Sequence, residues 1–417
     1  MKATLAQKIL ARASGKAEVK PGEYVMANID LTMVHFAMRM VYPLLDEAGI
    51  KEVWDPDKVV CIFDHVVPAP TVRDAEMYKA IRDAVKRFKI KNFYGERAGI
   101  CHQVLVEKGH VLPGQLIVGT DSHTTTYGAL GAAAAGIGSS EMAYVMATGK
   151  LWFKVPETIK FRISGSLKPM VTSKDIIMYI AGKYETTVAQ YKAIEFSGPV
   201  AGELSIASRM AMSNMAAELG AKFAFFEPDE KVKDYLAGRT DSSFPMLKAD
   251  RDATYEKVYD VEISSLEPQI AMPFAVDNVK PVTQIGEVKI DQAVLGSCTN
   301  SRLEDLRIAA EIVRGKKIHP DVRFLVIPAS AEVYKDAMNE GILSTLIDAG
   351  AIICNPGCGP CYGGHQGLLA SGEVCVASIN RNYKGRMGSP EAKVYLASPA
   401  VVAASAVNGR ITDPRDY

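Results

Sequence analysis

Short apolar runs alternate with longer amphipathic segments along most of the chain. Lys58–Phe63 and Gln115–Gly119 have the composition of buried strands, whereas Asp74–Phe88 and Ser139–Phe153 have the periodicity of helices. After residue 286 the same alternation continues as strand, helix, strand, helix. This order is typical of an α/β fold in which the strands run parallel.

Changes in pattern divide the chain into three predicted units, residues 1–155, 156–285 and 286–417. The first opens with an amphipathic helix that places Leu5, Ile9 and Leu10 on one face. The second opens at residues 158–169, where alternation predicts an exposed sheet and a turn. Residues 272–287 are marked by two prolines, which predicts a linker before the third unit.

Composition excludes several classes of protein. The 417 residues carry 48 Lys and Arg against 48 Asp and Glu, so the chain has none of the positive field that nucleic-acid and anionic-membrane binders need. Its small-residue apolar runs, at 128–138 and 399–407, are too short to span a membrane. The seven cysteines, without a signal peptide, favour a reducing, cytoplasmic setting over a disulfide framework.

Cysteine provides the strongest chemical signal. Cys298 lies in GSCTNSR just after a predicted strand, and Cys358 and Cys361 lie in NPGCGPCYGG. Thiolates in loops rich in Gly and Pro are typical of iron–sulfur clusters, which need close backbone approach and amide donors to their sulfurs. Three ligands would leave one iron open to act as a Lewis acid. For Cys61, Cys101 and Cys375 we favour inert, buried thiols.

Two other cysteine sites remain open at this point. Cys354, Cys358 and Cys361 spell CxxxCxxC, a spacing associated with radical-SAM enzymes. Against it, Cys354 ends an apolar strand, and Pro360 stands where such loops favour an aromatic residue. A structural zinc site is less favoured because no fourth Cys or His stands at finger-like spacing.

Histidines follow two of the predicted strands. Asp64 and His65 come after the first strand, and Asp121, Ser122 and His123 come after Gln115–Gly119. Open α/β sheets bind ligands at the carboxyl ends of their strands. A carboxylate beside a histidine orients the ring and raises its basicity, as acid–base chemistry requires. We expect His102 to join this group.

Two further motifs suit an anionic substrate. Asn214 and Glu218 are four residues apart on a predicted helix and therefore share a face. Arg381 and Arg386 lie in one loop, NRNYKGR, and guanidinium groups can bind the carboxylates of a di-acid bidentately. The glycines at 128–138 do not match a dinucleotide-binding fingerprint, so close backbone packing is the better explanation.

Together these motifs resemble the aconitase superfamily, and most closely the large subunits of the 3-isopropylmalate dehydratase and homoaconitase group. The likeness rests on GTDSHTTTYGALG, SNMAAELGA, GSCTNSR, GCGPC and NRNYKGR, and it spans nearly the whole chain. It implies an α/β fold: a three-domain aconitase-like α/β/α core lacking the swivelling fourth domain. It also implies a hydro-lyase that reversibly dehydrates a hydroxy di- or tricarboxylic acid.

The resemblance assigns roles residue by residue. It implies that Cys298, Cys358 and Cys361 hold a [4Fe-4S] cluster with one labile iron. The implied catalytic residues are Asp64, His65, His102, Asp121, His123 and Glu218. The implied substrate-binding residues are Ser122, Arg381 and Arg386, and those beside the cluster are Asn214, Asn300 and Asn380.

The resemblance also implies a separate small subunit that supplies the swivelling domain, because only 31 residues follow Arg386. Thr126 and Ile29 stand where aconitases proper carry Asn and Gln, which favours the dehydratase branch.

Phe36, Met38 and Met40 favour an alkyl group on the substrate, although Arg39 would allow a carboxylate. We therefore rank 3-isopropylmalate first, then 2,3-dimethylmalate or citramalate, then homoaconitate. An iron-sensing RNA-binding protein is a remote alternative. We expect neither a nucleic-acid nor a membrane partner.

Overall fold

Strands and helices alternate along most of the computed structural model, which describes residues 2–417. The first stretch contains α1 (Leu5–Ser14), β1 (Tyr24–Asn28), β2 (Leu31–Val34), α2 (Met38–Glu47), β3 (Val59–Ile62), α3 (Val72–Arg87), β4 (Asn92–Tyr94), α4 (Cys101–Glu107), β5 (Leu116–Gly119), β6 (Ala133–Gly136), α5 (Ser139–Thr148) and β7 (Lys150–Lys154). Its main sheet is parallel, in the order β4-β3-β2-β5-β6. Separately, β1 and β7 pair as a two-stranded antiparallel ribbon.

The second stretch also forms a parallel sheet, in the order β10-β9-β8-β11. Its elements are β8 (Thr158–Ser164), α6 (Ser173–Tyr184), β9 (Ala193–Ser197), α7 (Pro199–Glu203), α8 (Ile206–Met215), β10 (Phe223–Phe226), α9 (Glu230–Leu236) and β11 (Lys257–Glu262). The alternation predicted at 158–169 is confirmed in β8, an inner strand that buries Ile159, Phe161 and Ile163 on one face and leaves Arg162 exposed on the other.

The third stretch forms a seven-stranded sheet in the order β13-β12-β18-β17-β14-β15-β16. Its elements are β12 (Gln269–Ala271), β13 (Val279–Pro281), β14 (Gln292–Leu295), α10 (Leu303–Val313), β15 (Arg323–Val326), α11 (Ala331–Asn339), α12 (Ile342–Ala349), β16 (Ile352–Ile353), β17 (Val374–Ala377), β18 (Lys393–Ala397) and α13 (Pro399–Asn408). The predicted linker at 272–287 contains β13, an edge strand that tolerates Pro281 because its outer side needs no partner.

Local chemistry explains where the helices begin and end. The Thr71 hydroxyl accepts a hydrogen bond from the Asp74 N–H and begins α3, and α1 buries Leu5, Ile9 and Leu10 as predicted. The helix predicted to continue to Phe153 instead ends at Thr148, because Gly149 takes the left-handed conformation with φ of 70°. The chain then reverses into β7.

Close backbone packing at Gly128 joins the first and second sheets, and similar packing at Gly136 lies within the first. A Cβ on Gly128 would lie 1.7 Å from the Ala224 carbonyl oxygen of β10, and one on Gly136 would lie 2.6 Å from the Asp121 carbonyl oxygen. These contacts confirm close backbone packing as the explanation for the glycines at 128 and 136. Within residues 2–417, no helix is long and apolar enough to cross a membrane.

Candidate active site

The turn after β3 presents a buried carboxylate–imidazole pair. Asp64 is fully buried, and its Oδ1 accepts a hydrogen bond of 2.7 Å from His65 Nδ1–H. The Cys101 N–H donates to Asp64 Oδ2 at 3.0 Å. Burial acts to raise the pKa of Asp64, but the charge and hydrogen bond of His65 hold it below its ordinary value. Burial acts to lower the pKa of His65, but the charge and hydrogen bond of Asp64 raise it above its ordinary value. The pair therefore favours an ionised form.

A second such turn follows β5. Asp121 Oδ1 accepts hydrogen bonds from His102 Nε2–H at 2.9 Å and from the His123 N–H at 2.8 Å. Burial opposes ionisation, yet these hydrogen bonds hold the pKa of Asp121 well below its ordinary value. Ser122, between Asp121 and His123, is exposed at the surface of the turn. The Asp121 carboxylate therefore remains charged, orients the His102 imidazole and fixes the turn through the His123 N–H.

The parallel sheet explains why these turns meet. β3 and β5 are the neighbours of β2 on either side, so the carboxyl ends of all three strands lie at one edge. The same edge holds His35, which follows β2 and which the sequence reasoning missed. The signal was available, since His35 follows an apolar strand just as His65 does.

His35 is a neutral imidazole in the middle of this group. The Thr120 hydroxyl donates to its Nδ1 at 2.7 Å, and its Nε2 faces Asp121 Oδ2 at 3.7 Å. Burial, reinforced by His65, lowers the pKa of His35 to about 4. The ligand atoms of His35, His65 and Asp121 lie within 4.8 Å of one another.

Glu218 receives hydrogen bonds from two different loops. Its Oε1 accepts from His123 Nε2–H at 2.8 Å and from Arg381 Nε–H at 2.7 Å, and its Oε2 accepts from the Tyr383 hydroxyl at 3.2 Å. Burial acts against ionisation, but the hydrogen bond from His123 and the charge of Arg381 lower the pKa of Glu218. Tyr383 was also missed by the sequence reasoning.

The predicted shared helix of Asn214 and Glu218 is wrong in detail. Helix α8 ends at Met215, and Glu218 lies on the 3-10 turn Ala216–Leu219 that follows. A 3-10 helix has 3.0 rather than 3.6 residues per turn, so two residues four apart no longer share a face. The tighter turn therefore separates the two side chains. Asn214 is directed at a cysteine, whereas Glu218 is directed at His123.

Two of the predicted ligand cysteines share polar neighbours, although they are 63 residues apart. Cys298 Sγ accepts hydrogen bonds from Asn214 Nδ2 at 3.1 Å and from Asn380 Nδ2 at 3.2 Å. Cys361 Sγ lies 3.4 Å from Asn380 Oδ1 and 3.5 Å from the Ser297 hydroxyl, which is 3.8 Å from Cys298 Sγ. Amide donors directed at sulfur suit a cluster bound through thiolates.

Cys358 completes this group from the same loop as Cys361. Its Sγ lies 4.0 Å from Asp64 Oδ2, and its N–H donates to the Asp64 carbonyl at 2.9 Å. The loop can approach so closely because Gly357 and Gly359 take positive φ values, and a Cβ on Gly357 would lie 2.9 Å from that carbonyl oxygen. One sulfur thus comes from the loop that follows β14, and the other two come from a single glycine-rich loop.

These residues fit a cluster with three protein ligands. Cys298, Cys358 and Cys361 are 5–7% exposed, and burial raises the pKa of Cys298 to about 12, with Asp121 and Cys361 adding to the effect. Thiols that resist ionisation alone need a metal's positive charge to become thiolates. By contrast, the pKa of Cys354 is raised by burial only, and its sulfur faces the Ile352 carbonyl oxygen.

Asn300 lies apart from the thiols. Its amide donates to Asp305 Oδ1 at 3.0 Å, at the beginning of α10, and among residues 2–417 it has no hydrogen bond to a cysteine. The neighbouring Asp305 accepts from the Ser301 and Arg302 N–H groups, which stabilises the turn after Cys298. Through its amide nitrogen Asn300 thus supports that turn, and its place beside a cluster stays a prediction.

The two predicted substrate arginines lie at different parts of the site, Arg386 beside Cys361 and Arg381 at a cavity. Arg386 is partly buried with one nitrogen 3.9 Å from Cys361 Sγ, and its Nε has no hydrogen-bond partner among the described residues. Arg381 lines a cavity of about 450 Å³ together with Ser122. Asn382, between them, donates to the Met272 carbonyl at 2.8 Å and holds the loop in place.

Comparison with known proteins agrees with this arrangement. The model of the Aconitase family (aconitate hydratase) matches residues 8–285 and 275–409. The chain belongs to the aconitase family. It is 53% identical to the probable 3-isopropylmalate dehydratase large subunit of Methanothermobacter thermautotrophicus and 52% identical to 3-isopropylmalate dehydratase large subunit 1 of Methanopyrus kandleri, over 99% of both chains in each case. It is 47% identical to the probable methanogen homoaconitase large subunit of the former organism, over 100% of this chain and 98% of that relative. As a member of this family, the chain is a hydro-lyase.

Proposed function

We propose that the chain is the large subunit of a [4Fe-4S] hydro-lyase that isomerises 3-isopropylmalate through dehydration to 2-isopropylmaleate and rehydration. The observation that carries the proposal is the convergence of three buried cysteines with two carboxylate–imidazole turns. Cys358 touches Asp64, and Asn214 links Cys298 to Thr126 of the second turn. A cluster and acid–base groups would therefore share one site.

Cys298, Cys358 and Cys361 would hold the cluster, with Asn214 and Asn380 donating to the Cys298 sulfur. When bound, a cluster with one iron free of protein ligands supplies a Lewis acid that polarises a hydroxyl group. Every other requirement of the reaction falls to groups of the protein itself.

Glu218 and His123 are suited to proton transfer at the hydroxyl that leaves. They lie 2.8 Å apart, and each is less than a tenth exposed, so the pair exchanges a proton without bulk water between them. Asp121 holds His102 in one orientation, and Asp64 does the same for His65. Both imidazoles can therefore present a fixed ring edge to the substrate and to water.

Substrate carboxylates would be bound by Ser122, Arg381 and Arg386. Arg381 donates its Nε–H to Glu218, so its terminal nitrogens can bind a carboxylate. Arg386 has a terminal nitrogen close to Cys361 and a buried Nε without a hydrogen-bond partner among residues 2–417. Two guanidinium groups, one beside Glu218 and one beside Cys361, could each bind one of the two carboxylates of a malate-like head.

An apolar surface beside His65 favours an alkyl group on the substrate. Phe36 stacks on His65 with ring centroids 4.7 Å apart, and Tyr362 lies 5.3 Å from the same imidazole. Of the other residues invoked from the sequence, Met38 is fully buried in the core and Met40 lies on the exposed face of α2. Arg39 covers the Phe36 ring at 4.8 Å. The apolar contribution at this site therefore comes from Phe36 and Tyr362.

A small subunit would complete the enzyme. The relatives that are 53% and 52% identical are both named large subunits, and the alignment covers 99% of each. We infer that a separate small subunit closes the site and supplies further substrate contacts.

The cluster is tested by anaerobic reconstitution of the Cys361→Ser and Cys354→Ser variants. We expect the wild-type chain and Cys354→Ser to bind about four iron atoms with a brown absorbance, and Cys361→Ser to lose most of it. Cluster loss in Cys354→Ser with retention in a Cys298→Ser variant would instead identify a radical-SAM site.

The reaction is tested by adding the cognate small subunit to the reconstituted chain. We expect hydration of 2-isopropylmaleate with a kcat/KM above those for dimethylmaleate and homoaconitate. A higher kcat/KM for homoaconitate would favour the homoaconitase function, which the 47% identical relative makes the second candidate.

A further inference from the structure

The ribbon formed by β1 and β7 presents an unusual amount of aromatic surface to solvent. Its outward face carries Tyr24, Met26 and Trp152, which are 66%, 49% and 52% exposed. Met26 pairs directly with Trp152 across the strands, and the Tyr24 and Trp152 rings lie 5.9 Å apart. Tyr191, 38% exposed, extends this surface, since its hydroxyl donates to the Lys154 carbonyl. We call these four residues the ribbon patch.

Lysines accompany the ribbon patch. Lys150 and Lys154 lie on the same outward face of β7, on either side of Trp152. Lys222 places its ammonium group 5.8 Å from the Tyr191 ring, and among the described residues it forms no ion pair within 4 Å. The patch is thus an aromatic surface with a positive rim.

The patch is continuous with the mouth of the candidate active site. Lys222 lines the same 450 Å³ cavity as Ser122 and Arg381. Glu141, at the beginning of α5, lines that cavity as well, and its charge acts on both Lys222 and Tyr191. One uninterrupted surface therefore runs from the substrate arginine, through Lys222 and Tyr191, to Tyr24 and Trp152.

We propose that the ribbon patch is the docking surface for the small subunit, which binds it through apolar side chains surrounded by acidic ones. This inference rests on the proposed two-subunit enzyme. A subunit that closes the site must cover its mouth, and the patch extends that mouth with residues of the types that dominate binding energy at interfaces. Exposed aromatic clusters of this kind mark interaction sites.

A second copy of this chain suits the patch less well. In a two-fold symmetric dimer the same surface faces itself. Lys150 and Lys154 of the two copies would then approach each other, and like charges at an interface oppose association. An acidic partner surface avoids this repulsion and would make the association weaker at high salt.

The test measures binding of purified cognate small subunit to the cluster-loaded chain by calorimetry. Trp152→Glu should raise Kd at least tenfold, Tyr24→Ser should raise it less, and Trp152→Phe should bind as the wild type does. The control is Ile347→Glu. Ile347 is 57% exposed on α12, which packs against α10 and α11, and this substitution should leave Kd unchanged. A thermal unfolding midpoint confirms that each variant is folded.

Activity titrated with small subunit provides a second readout. The Trp152→Glu variant should need at least tenfold more small subunit for half-maximal rate, with kcat at saturation within twofold of the wild type. Unchanged binding by both Trp152→Glu and Tyr24→Ser would overturn the docking surface and leave the proposed function intact. Altered self-association without altered small-subunit binding would overturn it in favour of a second copy. Failure of the wild-type chain to bind any small subunit would overturn both proposals.

Discussion

His123 donates its Nε2–H to Glu218 Oε1 at 2.8 Å, across 95 residues of chain and between two different sheets. His123 comes from the loop after β5 and Glu218 from the turn before β10, and these loops pack together through Gly128 and Ala224. This pair therefore exists only when the first and second sheets are docked. In the proposed function, proton transfer by the pair would depend on the packing between these units.

Glu218→Gln should lower kcat about 10²–10³-fold while iron content stays at the wild-type level, because the amide keeps the volume but cannot exchange a proton with His123. Steady-state rates on cluster-quantified protein measure this. Glu203→Gln, an exposed glutamate of α7, serves as the matched control and should retain full activity. Wild-type kcat in Glu218→Gln would remove this residue from the mechanism.

Tyr383→Phe should lower kcat about tenfold or more with little change in KM. The substitution removes only the hydroxyl that donates to Glu218 Oε2, and a hydrogen bond to a charged group contributes about 1.5 kcal/mol or more. Rates of the Phe and Ala variants should be compared. An equal loss in both would agree, whereas a normal rate in Phe and a large loss in Ala would show that the ring matters and the hydroxyl does not.

Arg386→Lys should lower kcat/KM about 10–100-fold without loss of the cluster. Lysine keeps the charge but cannot form the planar, bidentate contact with a carboxylate. Kinetics with 3-isopropylmalate test this, alongside Arg410→Lys, whose guanidinium lies in an exposed ion pair with Glu287. Equal kcat/KM values for the two variants would contradict substrate binding by Arg386.

Asp229→Asn should destabilise the protein by about 3 kcal/mol at pH 7, because it leaves the Arg209 guanidinium buried and unpaired. Although burial opposes ionisation, the hydrogen bond from Arg209 lowers the pKa of Asp229 below its ordinary 3.8. The pair's stabilisation is therefore present above about pH 4 and is lost as the pH falls further.

Urea unfolding midpoints at pH 7, 4 and 3 check this prediction. The difference between wild type and Asp229→Asn should shrink as the pH falls, because the wild-type carboxyl then begins to take up a proton and the ion pair weakens. Asp260→Asn is the control, since its ion pair with Arg162 is exposed and screened by solvent, so this substitution should change the midpoint little at any pH. A pH-independent difference for Asp229→Asn would refute the charge argument.

Gly128→Ala should prevent normal folding or lower the thermal midpoint by more than about 10 °C, because its Cβ would overlap a backbone carbonyl that has no room to move. Gly202→Ala, in α7, has nothing within 4 Å of the added methyl group and should be neutral or slightly stabilising. Differential scanning calorimetry compares the two. Equal midpoints would show that the loop after β5 can shift away from β10.

Several features of the site follow from the sequence because they are local. The strands that precede Asp64, Asp121 and Cys298 are short apolar runs, and each ends in a polar loop, so the carboxyl edges of parallel sheets could be identified. The Gly-rich surroundings of Cys358 predicted a loop of close backbone approach, which its glycines with positive φ form. The family resemblance came from the same local motifs, and the family comparison confirmed it.

The errors occurred where local signals were ambiguous or incomplete. Helix periodicity continued past Gly149, but a left-handed glycine ended α5 and began β7. His35 was overlooked because it stands without a neighbouring acid in the sequence, although Asp121, 86 residues away, faces its ring.

By itself, then, the sequence determined which segments form strands, which loops carry acids, imidazoles and thiols, and which family they belong to. Only the tertiary structure decided that Glu218 joins His123 to Arg381 and Tyr383, and that an aromatic ribbon borders the mouth of the site. Periodicity and motif chemistry depend on neighbours a few residues apart. Contacts across 95 or 163 residues depend instead on how sheets pack through small residues such as Gly128, which no local pattern encodes.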